Sequence, residues 1–69
     1  MQTIMTSDVV ELAGDLDVLH LHAGEKGRVR SSWHYPNVAY EVEFQIGEST
    51  PLRVLLLDHQ IRRDVVASR

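Results

Sequence analysis

Apolar and polar residues alternate most clearly between residues 38 and 46, where the chain reads VAYEVEFQI. Successive side chains of a β-strand point to opposite faces, so this period of two predicts a strand with one buried and one exposed face. The apolar set is Tyr40, Val42, Phe44 and Ile46. The acidic residues between them, Glu41 and Glu43, are expected on the solvent side.

The same period predicts further strands on both sides of this one. Residues 8–13 place Val10 and Leu12 on one face, and residues 27–33 place Val29 inward with Arg28 and Arg30 outward. Leu52–Leu57 is so rich in leucine that either both of its faces are buried or a partner covers the outer one. Residues 58–63 are expected to form a single helical turn with Asp58 as its cap, and this turn leads to a last short edge strand.

Glycine and proline mark the connections. In the AGEKG segment, residues 23–27, the pattern predicts a tight turn, in which Gly24 and Gly27 allow two left-handed backbone positions. Residues 34–37 and 47–51 predict two more turns. Residues 14–24 stay open between a strand, with His20 and His22 on one face, and an ordered loop that places its leucines under the sheet. Such short strands, with turns about every 8 to 12 residues, predict a mainly β fold: a small five-stranded antiparallel SH3-like barrel.

The chain has 69 residues and no cysteine, which limits it to one domain without disulfides. We expect a flexible lead-in at 1–7, a single SH3-like barrel at 8–66 and a tail at 67–69. A domain of this size buries only about 60% of its unfolded surface, so a protein partner or a homo-oligomer would add useful burial.

The net charge of −3 argues against nucleic-acid binding, which depends on clustered lysine and arginine. The start of the chain lacks the basic and apolar regions of a signal peptide, and no apolar run is long enough to cross a membrane. A cytoplasmic location without membrane contact is therefore the expectation.

The order of the segments carries a family resemblance. DVVEL at 8–12, the GEKG corner at 24–27, YEVEF at 40–44 and the leucine-rich strand resemble, over residues 8–63, a family of short bacterial proteins, domain-of-unknown-function family 4926. That resemblance implies an SH3-like barrel and no catalytic residues. The corner is also similar to those of KOW-type nucleic-acid-binding domains and of the accessory β-subunit barrels of nitrile hydratases.

Several residue groups suggest chemistry, each against a simpler interpretation. His20 and His22, completed by His34 or His59, are candidates for a metal site, yet zinc needs three or four converging ligands, so surface histidines are favoured. Glu11, Asp15 and Asp17 lack the spacing of a calcium loop. Ser31 and Ser32 lack the context of a catalytic nucleophile. A filled barrel also offers no pocket, so we predict no enzyme activity, no cofactor and no metal.

Two surfaces are candidates for contact. Lys26, Arg28, Arg30 and Arg53 form a basic strip, which pairs with Glu41 and Glu43 or else contacts a partner. Trp33 and Tyr35 form an aromatic loop, which either anchors a partner or folds back over the end of the barrel.

The predicted function is a non-catalytic protein-interaction module: an accessory subunit, or a toxin-neutralising partner, of another protein encoded by a neighbouring gene. Its predicted contact residues are Trp33, Tyr35, Arg28, Arg30, Leu55 and Leu57. The alternatives are a KOW-like nucleic-acid-binding barrel and, less favoured, a histidine metal site.

Overall fold

Five antiparallel strands in one sheet make up most of the computed structural model, which describes residues 3–48 and 50–66. The strands are β1 (Val9–Leu12), β2 (Lys26–Trp33), β3 (Ala39–Phe44), β4 (Leu52–Leu57) and β5 (Ile61–Arg63). Two single 3-10 turns, Asp17–Leu19 and Asp58–Gln60, precede β2 and β5. Strands β1 to β4 lie in the segments where the pattern predicts them. The predicted helical turn at 58–63 was too long: it ends at Gln60, and β5 already begins at Ile61.

The strands follow the order β4-β3-β2-β1-β5 across the sheet. The first four form a meander, and the last returns to pair with the first. The predicted class, a mainly β, small five-stranded antiparallel SH3-like barrel, is thus confirmed in its strands. Within the described residues β4 and β5 do not pair with each other, so the sheet is open and these strands are its edges.

The core lies against the inner face of this sheet. Every second residue of β3 is buried, as the alternation predicts, because those side chains share one face. Ile46, the last of the apolar set, lies beyond the end of β3 and is exposed. The buried side chains are Ile4, Val10, Leu12, Leu21, Val29, Tyr40, Val42, Phe44, Leu56 and Ile61.

The two glycines of the GEKG corner have different roles. Gly24 has φ +90, a left-handed conformation that other residues resist, and it forms the turn. Gly27 is an ordinary β2 residue and does not use the second left-handed position that the sequence allows. A Cβ on Gly27 would lie 2.7 Å from Val42 Cγ1 and 2.8 Å from the Glu43 carbonyl oxygen. Gly27 is therefore required because β3 packs directly against its backbone.

Residues 14–24 form the ordered loop rather than the strand. Leu16 and Leu21 bridge each other across the 3-10 turn, and His20 takes φ 56 where that turn ends. Leu21 is buried, so the loop does place a leucine in the core. A period-two pattern that fits a strand equally well is here overridden by a local turn.

The segment before β1 is part of the packed unit. Ile4 lies in the core, and the Ser7 backbone N–H donates to the Val29 carbonyl oxygen at 2.8 Å. Packing therefore extends beyond the predicted domain start at residue 8. Residues 1, 2 and 49, and the predicted tail at 67–69, lie outside the described residues.

The turn before β5 is capped differently from the prediction. Leu57 holds the capping position, and its backbone N–H donates to Gln60 Oε1 at 2.8 Å. Asp58 is thus inside the turn, and its Oδ1 lies 3.4 Å from the Tyr40 hydroxyl. The prediction of Asp58 as the cap was wrong, because the side chain of Gln60 accepts the hydrogen bond from the free N–H of Leu57 instead.

Candidate interaction surface

Strands β2, β3 and β4 share an outer face that the core does not use. Their register aligns Trp33 with Ala39, and Ala39 with Leu57, in one row across the three strands. The next row holds Ser31, Glu41 and Leu55, and the third holds Arg28, Glu43 and Arg53. The face therefore changes from apolar to charged along the strands.

The apolar end forms a shallow open groove of about 380 Å³. Its exposed side chains are large: Tyr35 is 89% exposed, Leu55 64%, Trp33 47% and Leu57 44%. Trp33 belongs to β2 and lies on the outer face, so it does not fold back over the end of the barrel. We call this surface the apolar patch: Trp33, Tyr35, Pro36, Ala39, Leu55 and Leu57.

The other end is a network of ion pairs, the charged cluster: Arg30, Arg53, Glu41 and Glu43. Glu43 lies between two guanidinium groups, with Arg30 Nη2 at 3.0 Å and Arg53 Nε at 3.1 Å. Arg53 Nη1 also lies 3.9 Å from Glu41 Oε1. The expected pairing between the basic strip and the acidic residues of β3 is thus present for Arg30 and Arg53.

A β-bulge brings Arg30 into this cluster. The β2–β3 register shifts between Val29 and Ser31, which inserts Arg30 as the extra residue. The hydrogen bond from Arg30 is the main cause that lowers the pKa of Glu43 below its usual value, and the charges of Arg30 and Arg53 add to it. Partial burial acts in the opposite direction. Glu43 therefore stays ionised at neutral pH, and its charge offsets that of the arginines.

Arg28 and Lys26 take other partners. Arg28 Nη1 donates to the Ser7 carbonyl oxygen at 2.7 Å, away from the carboxylates of β3. Lys26 Nζ lies 2.6 Å from Asp64 Oδ2, and this hydrogen bond raises the pKa of Lys26. The predicted basic strip is thus divided among three sets of partners.

The four histidines are all exposed. His20 and His22 lack the strand geometry that would place them on one face, because the loop turns between them. No group of three or more histidine, aspartate or glutamate side chains in residues 3–48 and 50–66 is arranged to hold a metal ion.

Three of the remaining candidate side chains, those of Glu11, Asp15 and Ser31, contact neighbouring segments of the fold. Glu11 pairs with Arg62 at 3.5 Å, and Asp15 Oδ1 accepts a hydrogen bond from the Ala23 N–H at 2.8 Å. Ser31 Oγ lies 3.4 Å from Glu41 Oε1 on the outer face. These contacts close loops and link strands.

Two members of the apolar patch were missed by the sequence analysis. Ala39 lies between Trp33 and Leu57, and Pro36 completes the groove beside Tyr35. The predicted hairpin between β2 and β3 could have indicated the position of Ala39. An antiparallel pairing across the 34–37 turn places Ala39 beside the only tryptophan of the chain.

No protein-family model, curated protein or solved structure matches this chain. Membership of family 4926 therefore stays a prediction. Among the helical segments of the described chain, none combines the length and the apolar character that crossing a membrane requires.

Proposed function

We propose that this chain is a non-catalytic interaction module that docks on another protein through the apolar patch. The observation that supports this most directly is the grouping of four large, exposed apolar side chains on β2, on β4 and on the loop between β2 and β3. The core is complete without them, so the fold does not explain their presence. Burying apolar surface contributes about 25 cal/mol per Å², which makes such a patch a source of binding free energy.

The proposed partner is a protein to which this chain is an accessory subunit, or a toxin that it neutralises, in the cytoplasm. The net negative charge of this small domain supports that class, and a neighbouring gene is the first place to look for the partner. Trp33 and Tyr35 are the kind of residue that dominates binding energy at interfaces, because each combines large area with few rotatable bonds.

A nucleic-acid-binding role is less well supported. Arg30 and Arg53 are paired with Glu41 and Glu43, and Arg28 with a backbone carbonyl. Carboxylates this close cancel much of the field that would attract a phosphate backbone. The net charge of −3 adds repulsion.

Co-purification with the products of adjacent genes tests the proposal. The full chain with a C-terminal tag is compared with Trp33→Ala and Leu57→Glu. Val18→Glu is the matched control, because Val18 is 93% exposed and lies outside the patch. We expect one protein to be recovered with the wild type and the control, and at least tenfold less with the patch variants. Equal recovery with all four chains, at unchanged melting temperature, would contradict the proposal.

A further inference from the structure

The two edges of the sheet differ in their protection against pairing with another strand. β5 has three residues, two of them arginines that pair with Glu11 and Asp8. β4 has six residues, LRVLLL, with no proline and Arg53 as its single charge. Short, charged edges resist strand addition, whereas long apolar ones accept it. β4 is therefore the open edge.

The backbone of β4 offers hydrogen-bonding groups on that edge. The Leu57 N–H donates to Gln60 Oε1, so it faces away from β3. Backbone direction alternates along an antiparallel strand, which places the N–H and C=O groups of Arg53 and Leu55 on the same outer edge. In the strand order of the described chain, nothing follows β4 on that side.

We propose that an extended segment of the partner protein adds to β4 as a sixth strand, antiparallel to it like every other strand pair of the sheet. This inference rests on the proposed function and specifies how the partner binds. The side chains beside Leu57 and Leu55 would be apolar, since they extend the apolar patch. The one beside Arg53 would be acidic. From N- to C-terminus the segment reads apolar-x-apolar-x-Asp/Glu, where x is any residue.

The acidic position follows from the arrangement of the charged cluster. The side chain of Arg53 is 58% exposed, whereas that of Glu43 beneath it is 18% exposed. The outermost group at this end of β4 is thus a guanidinium. Its Nε and Nη1 face Glu43 and Glu41, and its outer N–H groups can still donate to another carboxylate in direct contact. A second copy of this chain does not satisfy it, because β4 itself holds no acidic residue to place opposite Arg53. Charge complementarity therefore favours a different protein.

Selection from a displayed library of random heptapeptides on the immobilised full chain tests the inference. We expect enrichment of apolar-x-apolar-x-Asp/Glu on the wild type. On Arg53→Glu the last position should change to lysine or arginine, because the charge it meets is reversed. Enrichment without a charge preference, or no change with Arg53→Glu, would overturn the inference.

Binding constants for an enriched peptide then test the backbone contact. Trp33 is the only tryptophan, so its fluorescence reports directly on the patch. Leu55→Pro removes an outward N–H without breaking a bond to β3, and Leu55→Ala is its matched control. We expect the proline variant to bind at least tenfold more weakly than the alanine variant. Equal binding by the two folded variants would overturn strand addition.

The same variants separate this inference from the proposed function. If the co-purified protein binds Leu55→Pro and Arg53→Glu as well as the wild type, but not Leu57→Glu, strand addition is wrong and the proposed function stands. If Leu57→Glu also binds, both fail. A dimer in sedimentation equilibrium that Leu55→Pro dissociates would make a second copy the occupant and would overturn the inference.

Discussion

The inner and outer faces of β2, β3 and β4 carry similar apolar side chains in different surroundings. Leu56 is buried in the core, while its neighbours Leu55 and Leu57 are exposed on the outer face. The same strand thus holds residues that stabilise the fold and residues that the fold does not use. Residue type does not distinguish these two roles. The exposure of a side chain and its neighbours on the adjacent strands do distinguish them.

The largest expected difference between the faces comes from the core side of β3. Phe44→Ala removes a fully buried ring and should lower the free energy of unfolding by about 3 to 5 kcal/mol, enough to unfold most of so small a domain. Ile46 is exposed and lies just beyond the end of β3, so Ile46→Ala should change the free energy of unfolding by less than about 1 kcal/mol. Urea denaturation measures both. Equal losses would mean that the core is not where we place it.

A smaller loss is expected where β2 meets β3. Gly27→Ala places a Cβ against Val42 and the Glu43 carbonyl, which should cost about 1 to 3 kcal/mol through forced shifts. Gly14→Ala is the control, since a Cβ there meets nothing within 4 Å. Thermal melts of both variants test this. A stable Gly27→Ala protein would show that the close approach relaxes easily.

Outer-face changes should affect binding rather than stability. Leu55→Ser and Leu57→Ser remove exposed side chains, so each should shift the free energy of unfolding by at most about 0.5 kcal/mol. The same changes should weaken capture of the partner at least tenfold. Calorimetry of the free chain measures the change in stability, and the co-purification experiment measures the change in binding. A large stability loss would assign these leucines to the fold instead.

The smallest effect is expected in the charged cluster and depends on pH. The pKa of Glu43 in the folded chain lies below its usual value of 4.5, so its ionised form stabilises the fold. That contribution is present above pH 4.5 and is lost as the pH falls through the folded pKa. Glu43→Gln should remove this part of the pH dependence, whereas Glu48→Gln, in an exposed loop, should not. Stability curves between pH 7 and pH 3 that overlay for wild type and Glu43→Gln would contradict it.

The strands and their faces could be predicted because the period of two is local information. Tyr40, Val42 and Phe44 needed only their own spacing. The register was harder, since it depends on which strands pair and where they shift. The bulge that brings Arg30 to Glu43 leaves no mark in the pattern, and Arg28 was therefore grouped with Arg30 although it binds the Ser7 carbonyl.

The contact residues were predicted in separate pieces. Trp33 and Tyr35 were expected on a loop, and Leu55 and Leu57 on a distant strand. Only the pairing of β2 and β4 with β3, through Ala39, brings them into one groove. In residues 14–24 the difficulty was local, because the alternation there favoured a strand as much as a loop. There the Leu16–Leu21 bridge, a contact between residues close in sequence, determined the outcome.

Ile4 sits among the buried side chains although it precedes the first strand by several residues. A shortened chain that starts at β1 would have a cavity where this isoleucine packs. It would also lose the backbone hydrogen bond from Ser7 to Val29 of β2. Shortened or fused versions of this protein should therefore keep residues 4–8, which pack against the sheet, and should carry any tag at the C-terminus.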